Sequence, residues 1–208
     1  MTHHRQSAFV RAALVLAAAA SAAALTGCKD EPKPAATPAP PAATPAAKPA
    51  AAGTVPVTIG GVTIQRPANW TVVPSPATRS ASATESLFLQ GPASKNESAF
   101  VLIEIQPVDG AGDLTDVLEK NVDYLSRKTD FKLRTQGVKT HPNGFDYAFV
   151  DFANTSDVQE NTPMRQWSVL APLPGKKRVQ FQAGSAATIW SENEPAIQAM
   201  LDSMKLPK

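Results

Sequence analysis

A low-complexity tract confines any folded domain to the part of the chain that follows it. Residues 29 to 54, KDEPKPAATPAPPAATPAAKPAAAGT, are nearly all proline, alanine, threonine and lysine. Such a segment buries too little apolar surface to offset the entropy of ordering, and its prolines favour extended polyproline II geometry. We therefore predict a disordered linker over 28–54 and one globular domain over 55–208, which is long enough to bury a core.

The predicted linker is long relative to the domain. Fully extended at about 3.1 Å per residue, it would reach about 80 Å, whereas the domain has an expected radius of gyration of about 15 Å. It is either a tether that carries the domain towards the peptidoglycan or a partner, or a spacer that only clears a membrane surface.

The first 27 residues have the three parts of a secretory signal peptide. Arg5 and Arg11 make the start basic, the uncharged run AALVLAAAASAAALT follows, and Gly27 ends the segment. A transmembrane helix is the alternative, since the uncharged run from 12 to 28 approaches the spanning minimum of about 17 residues. Because the run is mostly alanine, it would be a poor permanent anchor, and a signal peptide over 1–27 is favoured.

Cys28, the only cysteine, lies where the mature protein would begin. The sequence LTGC at 25–28 resembles the bacterial lipobox, which implies diacylation of the Cys28 thiol, cleavage between Gly27 and Cys28, and acylation of the new amino group. Several acyl chains would anchor the protein firmly, because each buried methylene contributes about 0.8 kcal/mol. An unpaired cysteine behind an ordinary signal peptide is the alternative.

The residue after Cys28 bears on which membrane keeps the protein. By resemblance to the enterobacterial sorting rule, an aspartate at that position would imply retention in the inner membrane. Lys29 stands there, with Asp30 and Glu31 directly behind it. We expect a lipid anchor on the periplasmic side, and Lys29 favours the outer membrane over the inner one.

From residue 55 onward, alternating apolar and polar residues predict strands. VPVTIGGVTIQRP predicts a hairpin that turns at Gly60 and Gly61, a pair that tolerates the positive φ of a two-residue turn. The run AFVLIEIQPV (99–108) is apolar enough to be covered on both faces. Further strands are predicted for ESLFLQG (85–91), FKLRTQGVKT (131–140), FDYAFVDFA (145–153), MRQWSVLAP (164–172) and KRVQFQAGSA (177–186).

Two segments have helical periodicity. DLTDVLEKNVDYLSRKT predicts a helix with Asp113 as N-cap, an apolar stripe, acids in the first turn, and Arg127 and Lys128 in the last. SENEPAIQAMLDSMKL predicts a closing helix in which Ser191 and Glu194 form a capping box. The two predicted buried stripes are Leu114, Val117, Leu118, Val122 and Leu125, and Ile197, Met200, Leu201 and Met204.

This order of elements predicts an α+β domain with a single antiparallel sheet and helices packed on it. The segments VTIQRPANW, DLTDVLEKNVDYL, YAFVDF, RQWSVLAP and WSENEPAIQAMLDSMK resemble, in order and spacing, the PsbP-like superfamily. The resemblance spans about 56 to 207 and implies an α/β/α sandwich, with helices on both faces of the sheet, and a binding or assembly role. It carries no functional residues over to this chain.

The sequence offers little for catalysis. His3 and His4 belong to the predicted signal peptide, which leaves His141, in the turn HPNG, as a solvated loop residue. No phosphate-binding, nucleophile-elbow or zinc-protease motif is present, and a zinc site built from cysteine and histidine is excluded. We expect no catalytic residues, no metal and no cofactor.

The charged residues support neither catalysis nor nucleic-acid binding. Asp146 and Asp151 are five residues apart on one strand, so their side chains face opposite ways. This favours two solvated or edge acids over an acid–base pair. We expect Asp151 to be partly buried beside Tyr147 and Phe149. The domain carries 15 basic and 16 acidic residues, so nucleic-acid binding has no electrostatic basis. GKKR (175–178) is either a solvated turn or a patch for phospholipid heads or an anionic polymer.

Three functions fit this sequence. The first is a non-enzymatic interaction or assembly accessory of the cell envelope, with an unknown protein partner. The second is a small-ligand or cell-wall-glycan binding module, in which Trp70, Trp167 and Trp190 would line a groove instead of filling the core. The third is a hydrolase or transferase that uses converging carboxylates.

Overall fold

A computed structural model describes residues 53–74, 80–109, 112–156 and 161–208. The predicted order of strands, helix, strands and helix is confirmed. The strands are β1 (Thr54–Ile59), β2 (Val62–Pro67), β3 (Thr71–Val73), β4 (Glu85–Ser94), β5 (Glu97–Pro107), β6 (Lys132–Thr140), β7 (Asp146–Thr155), β8 (Pro163–Leu173) and β9 (Lys177–Ala186). The helices are α1 (Leu114–Leu125) and α2 (Trp190–Asp202), the latter preceded by a 3-10 turn at Ala187–Ile189.

The strands form two sheets, and every pairing is antiparallel. Seven strands make one sheet in the order β3-β4-β5-β9-β8-β7-β6. The first hairpin, β1–β2, forms a sheet of its own, so the prediction of a single sheet is wrong in this respect. Its two-residue turn is as predicted, since Gly60 and Gly61 have φ of +54° and +80°, which glycine adopts without steric cost.

The larger hydrophobic cluster forms around α2 and is called the α2 cluster. It contains 23 buried residues from β1, β2, the sheet and α2. α2 packs against β2, β5 and β9, and its predicted stripe is confirmed because Ile197, Met200, Leu201 and Met204 are all at most 1% exposed. Each such side chain contributes about 1.5–3 kcal/mol by burial.

The smaller hydrophobic cluster forms around α1 and is called the α1 cluster. α1 packs against β6, β7 and β8, and the cluster contains only six buried residues, among them Leu118 and Leu125 of the helix. Leu114, Val117 and Val122 are partly buried against it, so the predicted stripe is confirmed. Along β7, Tyr147 and Phe149 belong to the α2 cluster, whereas Ala148, Val150 and Phe152 belong to the α1 cluster.

The ends of the helices agree only partly with their sequence patterns. Asp113 caps α1 as predicted, because its Oδ1 accepts a hydrogen bond from the Thr115 amide at 3.2 Å. Arg127 and Lys128 lie beyond the end of α1, so its last turn carries no basic residue. The capping box of α2 is wrong, since the N-cap is Ile189 and no side chain caps the helix. The 3-10 turn at Ala187–Ile189 leads directly into α2.

His141 is buried, and the prediction of a solvated loop residue is wrong. The side chain is 2% exposed, and its ring stacks on Phe145 with centroids 4.2 Å apart. The Asn143 amide donates to Nδ1 at 3.0 Å, so Nε2 carries the proton and donates to the Leu201 carbonyl at 2.8 Å. The histidine therefore ties the β6–β7 turn to the C-terminal part of α2.

Candidate functional site

A pocket of about 170 Å³ lies between the N-terminal part of α1 and the turn that joins β8 to β9. We call it the turn pocket. Its walls are mostly apolar, and three consecutive cations stand at the turn. The principal apolar side chains are Val108, Leu114, Val117, Leu170, Pro172 and Leu173, and the cations are Lys176, Lys177 and Arg178.

The turn is shaped by local backbone chemistry. Gly175 and Lys176 both have positive φ, +76° and +55°, which closes the short connection between Leu173 and its cross-strand partner Lys177. The segment after β5 runs alongside, because the Val108 amide donates to the Lys176 carbonyl at 2.9 Å. This hydrogen bond brings Val108 against the turn, where it forms part of one wall of the pocket.

Arg178 is held in position by a buried polar chain. Its Nε donates to Gln106 Oε1 at 2.9 Å. The Gln106 amide nitrogen donates in turn to Glu104 Oε2 at 2.9 Å and to Gln180 Oε1 at 2.7 Å. Glu104 and Gln106 are each only 2% exposed. Burial lowers the pKa of Arg178 below its ordinary value, because desolvation disfavours the charged form.

The cations of GKKR do not share one environment. Lys176 and Lys177 are exposed and fit the solvated-turn interpretation, whereas Arg178 is half-buried at the pocket. Across the described ranges, no carboxylate forms an ion pair with any of the three. The sequence interpretation missed the polar chain behind Arg178. Its signal was Glu104 and Gln106, two polar residues spaced by two in an otherwise apolar strand.

The two strand acids have separate partners. Asp146 is exposed, and its Oδ1 accepts from the Thr140 hydroxyl at 2.7 Å. Asp151 is 6% exposed, so partial burial is confirmed and the interpretation as a solvated acid is wrong. Its oxygens accept from Arg165 Nη2 at 2.9 Å and Nε at 3.3 Å.

The partner of Asp151 belongs to a wider charged cluster. Arg134 Nε lies 3.8 Å from Asp151 Oδ2, and Arg165 Nη2 lies 3.4 Å from Glu194 Oε1. The hydrogen bond to Asp151 raises the pKa of Arg165, although burial works against it. The Arg165 guanidinium also lies 4.8 Å from the ring centroid of Trp190. Asp151 therefore has two basic neighbours, and Arg165 Nη2 contacts both the Asp151 and the Glu194 carboxylates.

The three tryptophans lie in the α2 cluster. Trp70, Trp167 and Trp190 are 2%, 5% and 3% exposed, and the rings of Trp167 and Trp190 meet edge to face with centroids 5.3 Å apart. Neither the turn pocket nor a second pocket beside Phe88 and Phe100 has a tryptophan in its lining. The tryptophans fill the core. Neither pocket is the tryptophan-lined groove that the glycan-binding alternative predicts.

The described ranges hold neither a metal cluster nor a membrane-spanning helix. There, no three histidine, cysteine or acidic side chains lie close enough together to hold a metal ion. No helix in those ranges has the length and apolarity needed to cross a membrane. Cys28, Gly27, His3 and His4 lie outside the described residues.

Comparison with solved structures identifies the fold. LpqN of Mycobacterium tuberculosis, described as involved in cell envelope biogenesis, superposes with a TM-score of 0.55 at 17% identity, over 74% of this chain and 91% of LpqN. Cyanobacterial PsbP (CyanoP) of Synechocystis sp. PCC 6803 gives 0.53 at 16% identity, over 75% and 94%. The domain has the PsbP-like fold. The Ran-binding protein Mog1p of Saccharomyces cerevisiae gives 0.50 at 11% identity, over 74% and 95%.

The PsbP-like assignment concerns architecture alone. No protein-family profile matches the chain, and no curated protein sequence matches it. At 11 to 17% identity, the solved structures share the fold, while function depends on the particular residues placed on it. In this domain, a pocket and a buried polar chain meet at Arg178.

Proposed function

We propose that the protein is a lipid-anchored lipoprotein of the cell envelope that acts as a non-enzymatic interaction or assembly accessory. Residues 1–27 are its signal peptide, Cys28 is its acylated first residue, residues 28–54 include the linker, and 55–208 form the PsbP-like domain. The observation that carries the proposal is the order of the N-terminal segments, basic start, apolar run, Gly27 and a lone Cys28. Lys29 favours the outer membrane as the final location.

The proposal includes an α/β/α sandwich, with one helix against each face of the seven-stranded sheet. Its support is the alternation along β7, whose successive side chains point to opposite faces. Tyr147 and Phe149 belong to the cluster that contains α2, and Ala148 and Val150 to the cluster that contains α1. A sheet covered in this way has little room for a deep active-site cleft.

A non-enzymatic role is supported by what the reactive side chains do. His141 has both ring nitrogens engaged in backbone contacts, and Asp151 is engaged by Arg165. Groups committed to structural partners are poorly placed for proton transfer, which needs a free site within hydrogen-bonding reach of a substrate. LpqN, described as involved in cell envelope biogenesis, is a precedent for an envelope role on this fold.

Substitution of the anchor residue tests the proposal. Cys28→Ser should remove acylation, so that the protein leaves the membrane fraction or keeps its leader, whereas the wild type resists extraction with salt. Membrane fractionation and intact-mass measurement in the native host provide the readouts. Ser21→Ala, within the same leader, is the matched control and should be acylated normally.

The outcomes separate the anchor from ordinary secretion. An intact mass showing three acyl chains on Cys28 supports the proposal, and its loss in Cys28→Ser with retention in Ser21→Ala completes the case. Unchanged membrane retention of Cys28→Ser, or a bare Cys28 in the wild type, contradicts the lipid anchor.

Small-ligand binding is the second candidate function. The specific observation in its favour is the turn pocket, an apolar cavity with cations at its edge.

A further inference from the structure

We propose that the turn pocket binds a small anionic amphiphile, a molecule with a carboxylate or phosphate head and one short apolar part. The inference goes beyond the lipid anchor and does not depend on it, since the residues that carry it all lie in the domain, between Ser80 and Arg178. It gives the small-ligand alternative a defined site and a defined class of ligand.

The volume of the turn pocket limits the apolar part. A dry, apolar cavity of about 150 Å³ is known to accept benzene, whereas sites for drug-sized ligands occupy about 300–1,000 Å³. The turn pocket, at about 170 Å³, therefore suits one ring or a short alkyl chain. Leu114 and Val117 of α1 and Leu170 of β8 supply the apolar contacts.

The charge at the turn pocket selects the head. Lys176, Lys177 and Arg178 line it, and none of its described lining residues is acidic. Arg178 is the decisive cation because it is half-buried and its only side-chain hydrogen bond to described residues uses Nε. Its terminal guanidinium nitrogens are thus available to a carboxylate or phosphate, which an arginine fork can bind with two hydrogen bonds.

The nearest acid behind Arg178 does not neutralise it directly. Glu104 receives hydrogen bonds from the Ser80 amide and from Gln106, and Gln106 stands between Glu104 and Arg178. The acids at the start of α1, Asp113 and Asp116, do not line the pocket. Gln106 therefore orients Arg178 but carries no charge to pair with it. An anion bound at the turn pocket would stabilise the partly desolvated guanidinium.

Four probes that share one hexyl-sized tail test the inference. The full chain carrying Cys28→Ser is titrated with hexanoate, hexyl phosphate, 1-hexanol and hexylamine, and backbone amide shifts are followed by NMR. Both anions should shift the amides of 112–117 and 170–178. 1-Hexanol should bind at least about tenfold more weakly, the change expected when a charged hydrogen bond is removed, and hexylamine should not bind. The ratio between hexanoate and hexyl phosphate identifies the preferred head.

Two variants and a control assign the binding to the turn pocket. Arg178→Gln should weaken both anions at least about tenfold, and Val117→Phe should abolish binding by filling the cavity. Arg127→Gln removes the same charge from an exposed pair with Asp123 and should bind the anions normally. Thermal unfolding of each variant checks that the domain stays folded.

Several results would overturn the inference. They are equal binding of 1-hexanol and hexanoate, binding of hexylamine, absence of shifts at the turn pocket, or normal affinity in Val117→Phe. Because the protein is not acylated in this experiment, none of these results bears on the anchor at Cys28.

Discussion

The α2 cluster and the α1 cluster differ in size and in closure. The α2 cluster contains 23 buried residues and brings the β1–β2 hairpin, the sheet and α2 together. The α1 cluster contains six, and several of the apolar residues around it are only partly buried. The difference indicates that stability is concentrated around α2, whereas the region around α1 keeps the space from which the turn pocket is formed.

The physical origin of the difference is the number of elements that each helix meets. α2 packs against the sheet and also against β2, and Thr63 of β2 exchanges two backbone hydrogen bonds with Lys205 beyond the helix. α1 packs mainly against β6, β7 and β8, and its first turn lines the turn pocket at the end of the β8–β9 hairpin. The uncovered apolar surface there includes Leu114 and Val117.

A pair of isomeric side chains measures this difference directly. Ile197 of α2 is 0% exposed and Leu118 of α1 is 8% exposed, and each loses the same three carbon atoms when replaced by alanine. We expect a loss of about 4 kcal/mol in the free energy of unfolding for Ile197→Ala and about 2 kcal/mol for Leu118→Ala. The larger value applies where surrounding atoms cannot collapse into the cavity. Urea unfolding followed by circular dichroism provides both numbers.

The comparison fails if the two variants are equally destabilised. Equal losses would mean that the α1 cluster is as tightly closed as the α2 cluster, and that the turn pocket is not a region of looser packing. A change in the denaturant slope would instead indicate that the transition is no longer two-state.

The elements that sequence periodicity located best are those whose burial repeats over many residues. The α1 stripe from Leu114 to Leu125 and the apolar strand β5 each provide a regular pattern. The Gly60–Gly61 turn was equally predictable, because positive φ at both positions favours glycine. The start of α2 was not predictable in this way. Ser191 and Glu194 match a capping box, but the helix begins at Trp190, directly after the 3-10 turn, and no side chain caps it.

The candidate site was only partly predictable, for a different reason. GKKR identified a cationic turn, but the special role of Arg178 comes from Gln106, its cross-strand neighbour on β5, which lies 72 residues earlier. His141 was misjudged in the same way, because its partner Leu201 is 60 residues away. Local chemistry predicts a turn, whereas burial of the turn depends on elements that only the tertiary fold brings together.

His141 allows a second test of where stability resides. His141→Ala leaves the Asn143 amide without its acceptor and removes one donor to the Leu201 carbonyl, which also accepts from the Met204 amide, near the C-terminal part of α2. We expect a loss of about 1–3 kcal/mol in the free energy of unfolding. Tyr124→Ala on α1, where the side chain is 65% exposed, should change it by less than about 0.5 kcal/mol.

A small effect of His141→Ala would indicate that other contacts provide the stability of this region. If His141→Ala behaves like Tyr124→Ala in thermal unfolding, the hydrogen bonds of the His141 ring do not secure α2. The β6–β7 turn would then be tied to the end of α2 by Asn143, whose Nδ2 donates to the Met204 carbonyl at 2.7 Å, and by apolar contacts. Amide hydrogen exchange across 197–205 would then show no loss of protection in the variant.

The smallest effect is expected from the linker. Deleting residues 32–52 in the Cys28→Ser chain should change the free energy of unfolding by less than about 0.5 kcal/mol, because a tract of proline and alanine offers neither cluster a side chain large enough to pack. Calorimetric melting of the deletion, with a glycine–serine segment of equal length as the control, gives the measurement. A drop of several degrees would mean that part of the tract packs on the domain, and the α1 cluster, with its partly exposed helix, would then be the first surface to examine. An unchanged melting temperature leaves the α1 and α2 clusters as the source of stability and the tract as a connection whose length can vary without cost to the fold.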